Sequence, residues 1–144
     1  MKKREGDSWK PADEFGRSLS GACINLLVED IEVSLRFQRD VLGAEVIYAD
    51  PDFAFLKGYG MQWMLHADHT YRDHPMYGIV TQLEGRGGAI ELRLYDADPD
   101  TLEQRARDND FVILQGSMDK PHGLRECFIL DNDGFIWVPS TRLA

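Results

Sequence analysis

The chain has 144 residues, 43% hydrophobic and 28% charged, which is the composition of one globular domain with a sizeable core. A net charge of −9 argues against nucleic acid as a partner, because phosphates attract a basic surface. No apolar run is long enough to span a membrane, so we expect no membrane partner. No apolar run follows the basic segment Met1–Arg4 either, so we expect no signal peptide and a cytoplasmic location.

Residues 1–20 are polar and lack periodicity. We interpret them as an N-terminal arm that either packs on the surface or frays, with Trp9, Pro11 and Phe15 as candidate anchors. Beyond the arm, Cys23 and Cys127 fall inside predicted strands. They are interpreted as small buried apolar side chains in a reducing compartment and not as a disulfide.

The first folding unit, residues 21–66, has the predicted order β-α-β-β-β. Alternating apolar residues indicate the strands, and Asp30 and Gly43 are typical start and stop residues for the helix between them. The predicted elements are a strand over 22–28, a helix over 31–42, and strands over 45–49, 53–57 and 61–66.

The same order returns in a second unit, residues 88–144. Gly21–Asp30 matches Gly87–Asp96 at an offset of 66 residues, and Phe53–Met64 matches Cys127–Val138 at an offset of 74. The predicted elements are a strand over 89–95, a helix over 98–107, and strands over 111–115, 126–130 and 135–138. Residues 67–87 form a linker rich in Gly, His and Asp. A duplicated unit indicates a binding surface between the copies.

Three stretches carry a resemblance to a known family: Val28-Glu-Asp-Ile31, Phe37-Gln-Arg-Asp-Val-Leu-Gly43 and His122-Gly-Leu-Arg-Glu-Cys-Phe-Ile-Leu-Asp-Asn-Asp-Gly134. In this order, and with the duplication, the chain resembles the vicinal oxygen chelate superfamily of glyoxalases, bleomycin-resistance proteins, fosfomycin-resistance transferases and extradiol dioxygenases. It departs at Gln38, where the family often has Tyr, and at Asn132, where it often has Pro.

The resemblance implies an α+β fold of two tandem βαβββ units. Their curved mixed sheets would enclose a cavity, with the helices on the convex side. It also implies a homodimer, in which the units are swapped between protomers in one arrangement of the family.

In enzymes of this superfamily the first and last strands of each unit supply the ligands of a divalent metal. The resemblance places these positions on Cys23, Met64, Ala89 and Val138. A methyl and an isopropyl group cannot ligate, a thioether is a poor ligand for the usual metals, and one thiol does not make a site. We therefore expect no shared metal centre and predict no cofactor.

A rival metal site remains open in the linker, where His66, His69 and His74 are accompanied by carboxylates and His122 would be a fourth nitrogen donor. The spacing His-x-x-His places two imidazoles close together. The alternative is that these histidines bond to their own polar loop, because no zinc-protease pattern accompanies them.

Strand alternation extends the four family positions to a set of side chains that face the cavity. The predicted ligand-binding residues are Cys23, Asn25, Leu27, Gln62, Met64, His66, Ala89, Glu91, Arg93, Ile136 and Val138. Trp63 and Trp137 then fall on the opposite, helix-packed face.

Three residues of the predicted lining, His66, Glu91 and Arg93, are candidates for catalysis. Glu91 and Arg93 either form a mutual ion pair or anchor a ligand. His66 is either a general base or a histidine at a loop edge. Of Arg125 and Glu126, one points inward, and the sequence does not decide which.

Two function classes follow. The first is a homodimeric binding protein that sequesters a small organic molecule, antibiotic-like in one version, without a metal. The second is a lyase, isomerase or dioxygenase-like enzyme that uses either the histidine-rich loop as a metal site or His66, Glu91 and Arg93 in metal-free acid–base chemistry.

Overall fold

The computed structural model describes residues 1–144 and contains two four-stranded sheets flanked by helices. The helices and strands in chain order are α1 Ala12–Ser18, β1 Ile24–Val28, α2 Ile31–Asp40, β2 Glu45–Ala49, β3 Phe53–Gly58, β4 Met61–Ala67, a 3₁₀ helix Asp68–Tyr71, α3 Tyr77–Val80, β5 Glu91–Tyr95, α4 Pro99–Asp108, β6 Val112–Asp119, β7 Leu124–Leu130 and β8 Ile136–Arg142. The first unit contains β1, α2, β2, β3 and β4, and the second contains β5, α4, β6, β7 and β8.

Both sheets have the same topology, which confirms the predicted α+β fold with two βαβββ units. The strand orders are β1-β4-β3-β2 and β5-β8-β7-β6. The first strand of each unit pairs in parallel with the last strand, and the other pairs are antiparallel, so both sheets are mixed. The register opposes Asn25 to Met64 in the first sheet and Arg93 to Val138 in the second.

The two long helices begin as their sequences predict. Asp30 is the N-cap of α2, and its Oδ1 accepts a hydrogen bond of 3.0 Å from the Val33 amide. Asp98 caps α4 in the same way, and Pro99 occupies the first turn, where its missing N–H is not needed. One face of each helix is buried against its own sheet.

A single hydrophobic core joins the two units. Trp63 and Trp137 are both fully buried, and their ring centroids lie 5.9 Å apart. Phe37 of α2 packs on Trp137 and on Phe111, both of which belong to the second unit. Both tryptophans therefore belong to the core, as predicted, and the helix-packed sides of the two sheets share one interior.

Polar contacts at the β7–β8 turn also join the units. Asp133 accepts hydrogen bonds from the Glu29 amide (2.9 Å) and from the Ser34 hydroxyl (2.7 Å) at the start of α2. Gly134 has a φ of +90°, and an added Cβ would lie 2.4 Å from the Cα of Gly85. A side chain at this position would separate the linker from the turn.

The structure corrects several predicted boundaries. The segments 67–87 and 1–20 are not plain loops, since they contain the 3₁₀ helix and α3, and α1, respectively. Strands β6 and β8 run four residues further than predicted, to Asp119 and Arg142. Their partner, β7, also begins earlier than predicted, and this pairing extends the sheet beyond the apolar stretch. None of the helices combines the length and apolar character needed to cross a membrane.

Each core tryptophan has its own buried hydrogen-bond acceptor. The Trp63 Nε1 donates to Gln38 Oε1 (3.0 Å), and the Trp137 Nε1 donates to Asp131 Oδ2 (2.9 Å). Asp131 also accepts the backbone amides of Asp133 and Phe135. Burial raises the pKa of Asp131 to about 6, and these hydrogen bonds oppose the rise only in part.

We predict a pH-dependent contribution of Asp131 to stability. Its folded-state pKa lies above the unfolded value of about 3.9, so the stabilisation is complete below about pH 4 and is lost as the pH rises to about 6. Relative to Asp131→Asn, the wild-type free energy of unfolding should fall by on the order of 1 to 3 kcal/mol across that window. Urea titrations at several pH values measure the difference, with the exposed Asp108→Asn as control. Parallel curves for wild type and Asp131→Asn would contradict the prediction.

Candidate functional site

We use the term open face for the side of each sheet that is turned away from α2 and α4. The register places the predicted lining residues of the strands on these faces. In the first sheet Asn25, Met64 and Phe55 lie side by side across three strands, and Leu27, His66 and Phe53 form the next row. The second sheet carries Glu91, Ile136, Arg93 and Val138 in the corresponding rows.

On the first open face, Asn25 connects a histidine and a tyrosine. The Asn25 Oδ1 lies 2.6 Å from His66 Nδ1, and its Nδ2 lies 3.1 Å from the Tyr71 hydroxyl. With the amide in this orientation, His66 carries its proton on Nδ1, so its Nε2 is an acceptor. Burial lowers the pKa of His66 below 6.5, although Asp50 opposes the shift, so the imidazole is neutral at pH 7.

The Nε2 of His66 has no hydrogen-bond partner in the protein. It is also not one of the fully buried unpartnered polar atoms, so it borders accessible space. A neutral imidazole with a fixed tautomer and a free lone pair can accept a hydrogen bond from a ligand or act as a base.

On the second open face, Arg93 lies between two carboxylates. It bonds to Glu91 at 2.8 Å and to Glu126, which is 3% exposed. The His122 Nε2 lies 3.3 Å from the same Glu126 carboxylate. The inward residue of β7 is thus Glu126, whereas Arg125 turns to Asp100 of α4. Two carboxylates and one guanidinium give this cluster a formal charge of −1.

The two open faces do not meet within one chain. No hydrogen bond or ion pair joins a side chain on one open face to a side chain on the other. The contacts between units lie in the shared core, at the β7–β8 turn, between α2 and the end of α4, and in the linker. The structure therefore brings together each half of the predicted lining and leaves the halves apart.

Comparison with known proteins now identifies the family. The profile of the glyoxalase/bleomycin resistance protein/dioxygenase superfamily matches residues 22–138. The chain belongs to this superfamily. The match excludes the whole N-terminal arm and includes all eight strands up to the middle of β8. No functionally curated protein matches the sequence.

Solved structures of the superfamily share the fold. A glyoxalase-related enzyme from Fulvimarina pelagi has 21% sequence identity and a TM-score of 0.69, over 85% of this chain and 88% of that one. A superfamily enzyme from Burkholderia phytofirmans PsJN has 16% identity and a TM-score of 0.71, over 84% and 97%. The fosfomycin resistance protein FosX from Listeria monocytogenes has 16% identity and a TM-score of 0.64, over 85% and 93%. Identities this low show the fold alone.

The resemblance assigns the superfamily's metal positions to Cys23, Met64, Ala89 and Val138. Met64 lies in β4 of the first sheet and Val138 in β8 of the second. Cys23 and Ala89 precede their strands, which start at Ile24 and Glu91, so the predicted starts at 22 and 89 are wrong. A thiol, a thioether and two hydrocarbon groups provide no ligand set for such a metal.

The structure also corrects the interpretation of Cys23 as a buried side chain, because the residue is exposed, whereas Cys127 is buried. The Cys23 sulfur lies 3.6 Å from the Gln62 carbonyl oxygen. Desolvation of the thiol raises the pKa of Cys23, which lowers its thiolate fraction and its value as a ligand or nucleophile.

The histidines of the linker region have separate partners. His66 binds Asn25, His69 binds Asp52 at 2.7 Å, and His74 accepts the Met76 amide. His122 lies on the second sheet. The chain contains no group of three or more His, Cys, Asp or Glu side chains arranged to hold a metal ion, so the structure does not assemble the rival metal site.

The N-terminal arm is the part of the site that the sequence analysis missed. Trp9 stacks on Tyr48 with ring centroids 5.2 Å apart, and Phe15 packs edge-on against Phe53 (5.6 Å) and Phe55 (5.2 Å). The arm therefore covers the β2–β3 side of the first open face. Its aromatic residues were visible as anchors, but no local pattern indicated what they would contact.

Two aspartates of the β2–β3 turn hold the start of the arm. Asp52 accepts the Lys3 amide (2.6 Å) and the Arg4 amide (3.2 Å), and Asp50 pairs with the Arg4 guanidinium at 3.2 Å. The Asp52 side chain also binds His69, whose carbonyl accepts the N-terminal amine of Met1. The predicted turn is thus an anchoring point for a segment more than 40 residues away in sequence.

We predict that Asn25 sets the protonation state of His66. In nitrogen-detected NMR spectra, His66 should be the neutral Nδ1–H tautomer at pH 7 and should titrate below pH 6.5. Asn25→Asp places a carboxylate next to Nδ1 and should raise the pKa above the wild-type value, because a negative neighbour stabilises the imidazolium. A titration midpoint unchanged by this substitution would show that the contact does not exist in solution.

Proposed function

We propose that this superfamily member binds a small organic molecule on its open faces, in a cleft completed by a second copy of the chain and without the family's metal. The observation that carries the proposal is the Glu91–Arg93–Glu126 cluster. Glu126 is buried and Arg93 is half-buried, and charges withdrawn from water need a role. Ligand recognition is one role that places them on an open face.

The separation of the two open faces supports the dimer. Within one chain, the Asn25–His66 cluster and the Arg93 cluster are not in contact, so a cavity lined by both sets requires the first sheet of one copy to face the second sheet of another. Apolar side chains that remain exposed on β6, such as Val112 (56%) and Leu114 (52%), favour such a cover.

The charge of the second cluster favours a ligand with a cationic group. Two carboxylates outnumber one guanidinium, and Glu126 is almost fully buried. The net charge of −9 reinforces this preference at long range. A cationic, antibiotic-like molecule is the specific version of the proposal, and a bleomycin-sensitive host that expresses the protein tests it through survival.

A second candidate function is metal-free acid–base catalysis of the lyase or isomerase type. His66 favours it, because its neutral imidazole has one fixed tautomer, a free Nε2 and a neighbouring Tyr71 hydroxyl bridged by Asn25. Hydrogen exchange distinguishes the two functions. If a bound compound exchanges a C–H proton in D₂O in the presence of the protein but not of His66→Gln, the protein is an enzyme.

We predict that the protein purified without chelator contains far less than one divalent ion per chain. The reason is the side chains at the four family positions, which do not form a ligand set. Elemental analysis by mass spectrometry measures the content, and protein dialysed against zinc or manganese is the matched comparison. A stoichiometric ion retained through gel filtration would contradict the metal-free proposal.

We predict that Glu91→Gln weakens the stabilisation that a cationic cleft ligand provides, because it removes one of the two carboxylates that favour a cation. A panel of cationic and neutral small molecules is screened by thermal denaturation, where a ligand at 100 times its Kd adds about 3 kcal/mol of stability. A cationic compound that raises the wild-type Tm should lose much of its effect in Glu91→Gln and keep it in Glu45→Gln, an exposed glutamate of β2. Equal Tm increases in both variants would remove the Arg93 cluster from the site, and light scattering that shows only monomers would remove the two-chain cleft.

A further inference from the structure

A cavity of about 720 Å³ lies between the N-terminal arm and the first open face. The arm contributes one wall, and Asp52, Phe53, His66 and Thr70 contribute the other. The cavity is complete within one chain, unlike the cleft between the two open faces. Nine of its thirteen lining residues precede the superfamily match at 22–138. We call it the arm pocket, formed by Lys2, Trp9, Lys10, Phe15, Phe53 and His66.

Aromatic rings line the arm pocket. Trp9 is fixed on one face by Tyr48, with the two ring planes 9° apart, and Phe15 is fixed edge-on against Phe53. The Phe53 ring in turn contacts the His66 imidazole, with centroids 4.8 Å apart. Rings held in this way offer a preformed apolar surface to a flat molecule at little cost in side-chain entropy.

Some charged groups around the arm pocket already have partners in the protein, and others do not. Asp52 is bound by His69 and by two backbone amides, and Arg4 is bound by Asp50. Lys2, Lys10 and Asp7 line the cavity without an ion-pair partner, although the Lys10 ammonium lies 4.3 Å from the Trp9 ring centroid. The unpaired groups sum to +1, in a chain whose net charge is −9.

His66 adds a directional contact at the floor of the arm pocket. Its Nδ1 is occupied by Asn25 and its Nε2 has no partner, so the ring offers an acceptor and not a donor. A ligand hydroxyl or N–H group meets this requirement, whereas a carboxylate would face the lone pair. The anionic group of a ligand is therefore expected at the lysine side of the cavity.

We propose that the arm pocket binds a planar aromatic acid that carries a hydroxyl group at the end opposite its carboxylate. The rings pack against Phe15, Phe53 and the edge of Trp9, the carboxylate pairs with Lys2 and Lys10, and the hydroxyl donates to His66 Nε2. The inference rests on the proposed function in one respect: both take the open face of the first sheet as a ligand-binding surface.

The test uses 6-hydroxy-2-naphthoate as the probe and the full chain without an N-terminal tag, because the Met1 amine is bonded to His69. Isothermal titration should give a Kd of about 1 mM or tighter, the value expected for a ligand of this size with ordinary efficiency. The methyl ester, which lacks the charge, and the 6-methoxy acid, which lacks the donor, should each bind at least about tenfold more weakly. Absence of wild-type binding, or equal affinity for all three compounds, overturns the proposal.

Variants locate the probe. Lys2→Gln with Lys10→Gln, and separately His66→Phe, should weaken binding at least about tenfold, while Lys120→Gln serves as the matched lysine control. Phe15→Ala should weaken binding and also release the arm, so the double lysine variant, which keeps every aromatic ring of the pocket, keeps the test valid if the Phe15 variant unfolds. Binding lost in Arg93→Ala but kept in the lysine and His66 variants overturns the arm pocket and supports the cleft. If Arg93→Ala leaves binding unchanged and the lysine variants weaken it, the arm pocket is supported, whether or not the cleft binds a ligand.

Discussion

The contact between Trp63 and Trp137 determines which surface of this protein is available for function. Each indole occupies the helix-packed side of its last strand, and the two rings meet in one interior shared by both units. Because side chains alternate along a strand, the residues next to each tryptophan point to the opposite side of the sheet. Because a shift of one residue would place both tryptophans on the open face, the register is strongly specified by burial. The open faces are consequences of this packing.

Comparison of the two units shows where they have diverged. On the core side, Leu26 corresponds to Leu92 and Trp63 to Trp137. On the open side, the residues at equivalent positions differ in chemistry: Asn25 corresponds to Glu91, Leu27 to Arg93, Gln62 to Ile136 and His66 to Ser140. Packing constrains the core-side residues in the same way in both units. No common constraint acts on the open-side residues, so the first open face is neutral and aromatic and the second is charged.

The sequence was sufficient for the fold and for the side of each strand, because both follow from alternation and from the internal repeat. It was less informative at element ends: Cys23 and Ala89 lie outside their strands because pairing with the neighbouring strand sets the end. Which of Arg125 and Glu126 points inward also depended on their partners. Arg125 binds Asp100 of α4, and Glu126 binds Arg93 on the open face. The contacts of the arm were not predictable, because Asp50 and Asp52 bind residues that are distant in sequence and carry no local pattern.

The arm covers an apolar surface that the two βαβββ units alone would leave exposed in this chain. In a bare pair of βαβββ units, the aromatic side chains Tyr48, Phe53 and Phe55 would present a large apolar surface to solvent, with the associated free-energy cost. Here Trp9 and Phe15 cover it, and Asp50 and Asp52 hold the first four residues in place. Covering the face in this way leaves His66 in the wall of the arm pocket. A segment outside the family match therefore turns part of this open face into the wall of a pocket within one chain.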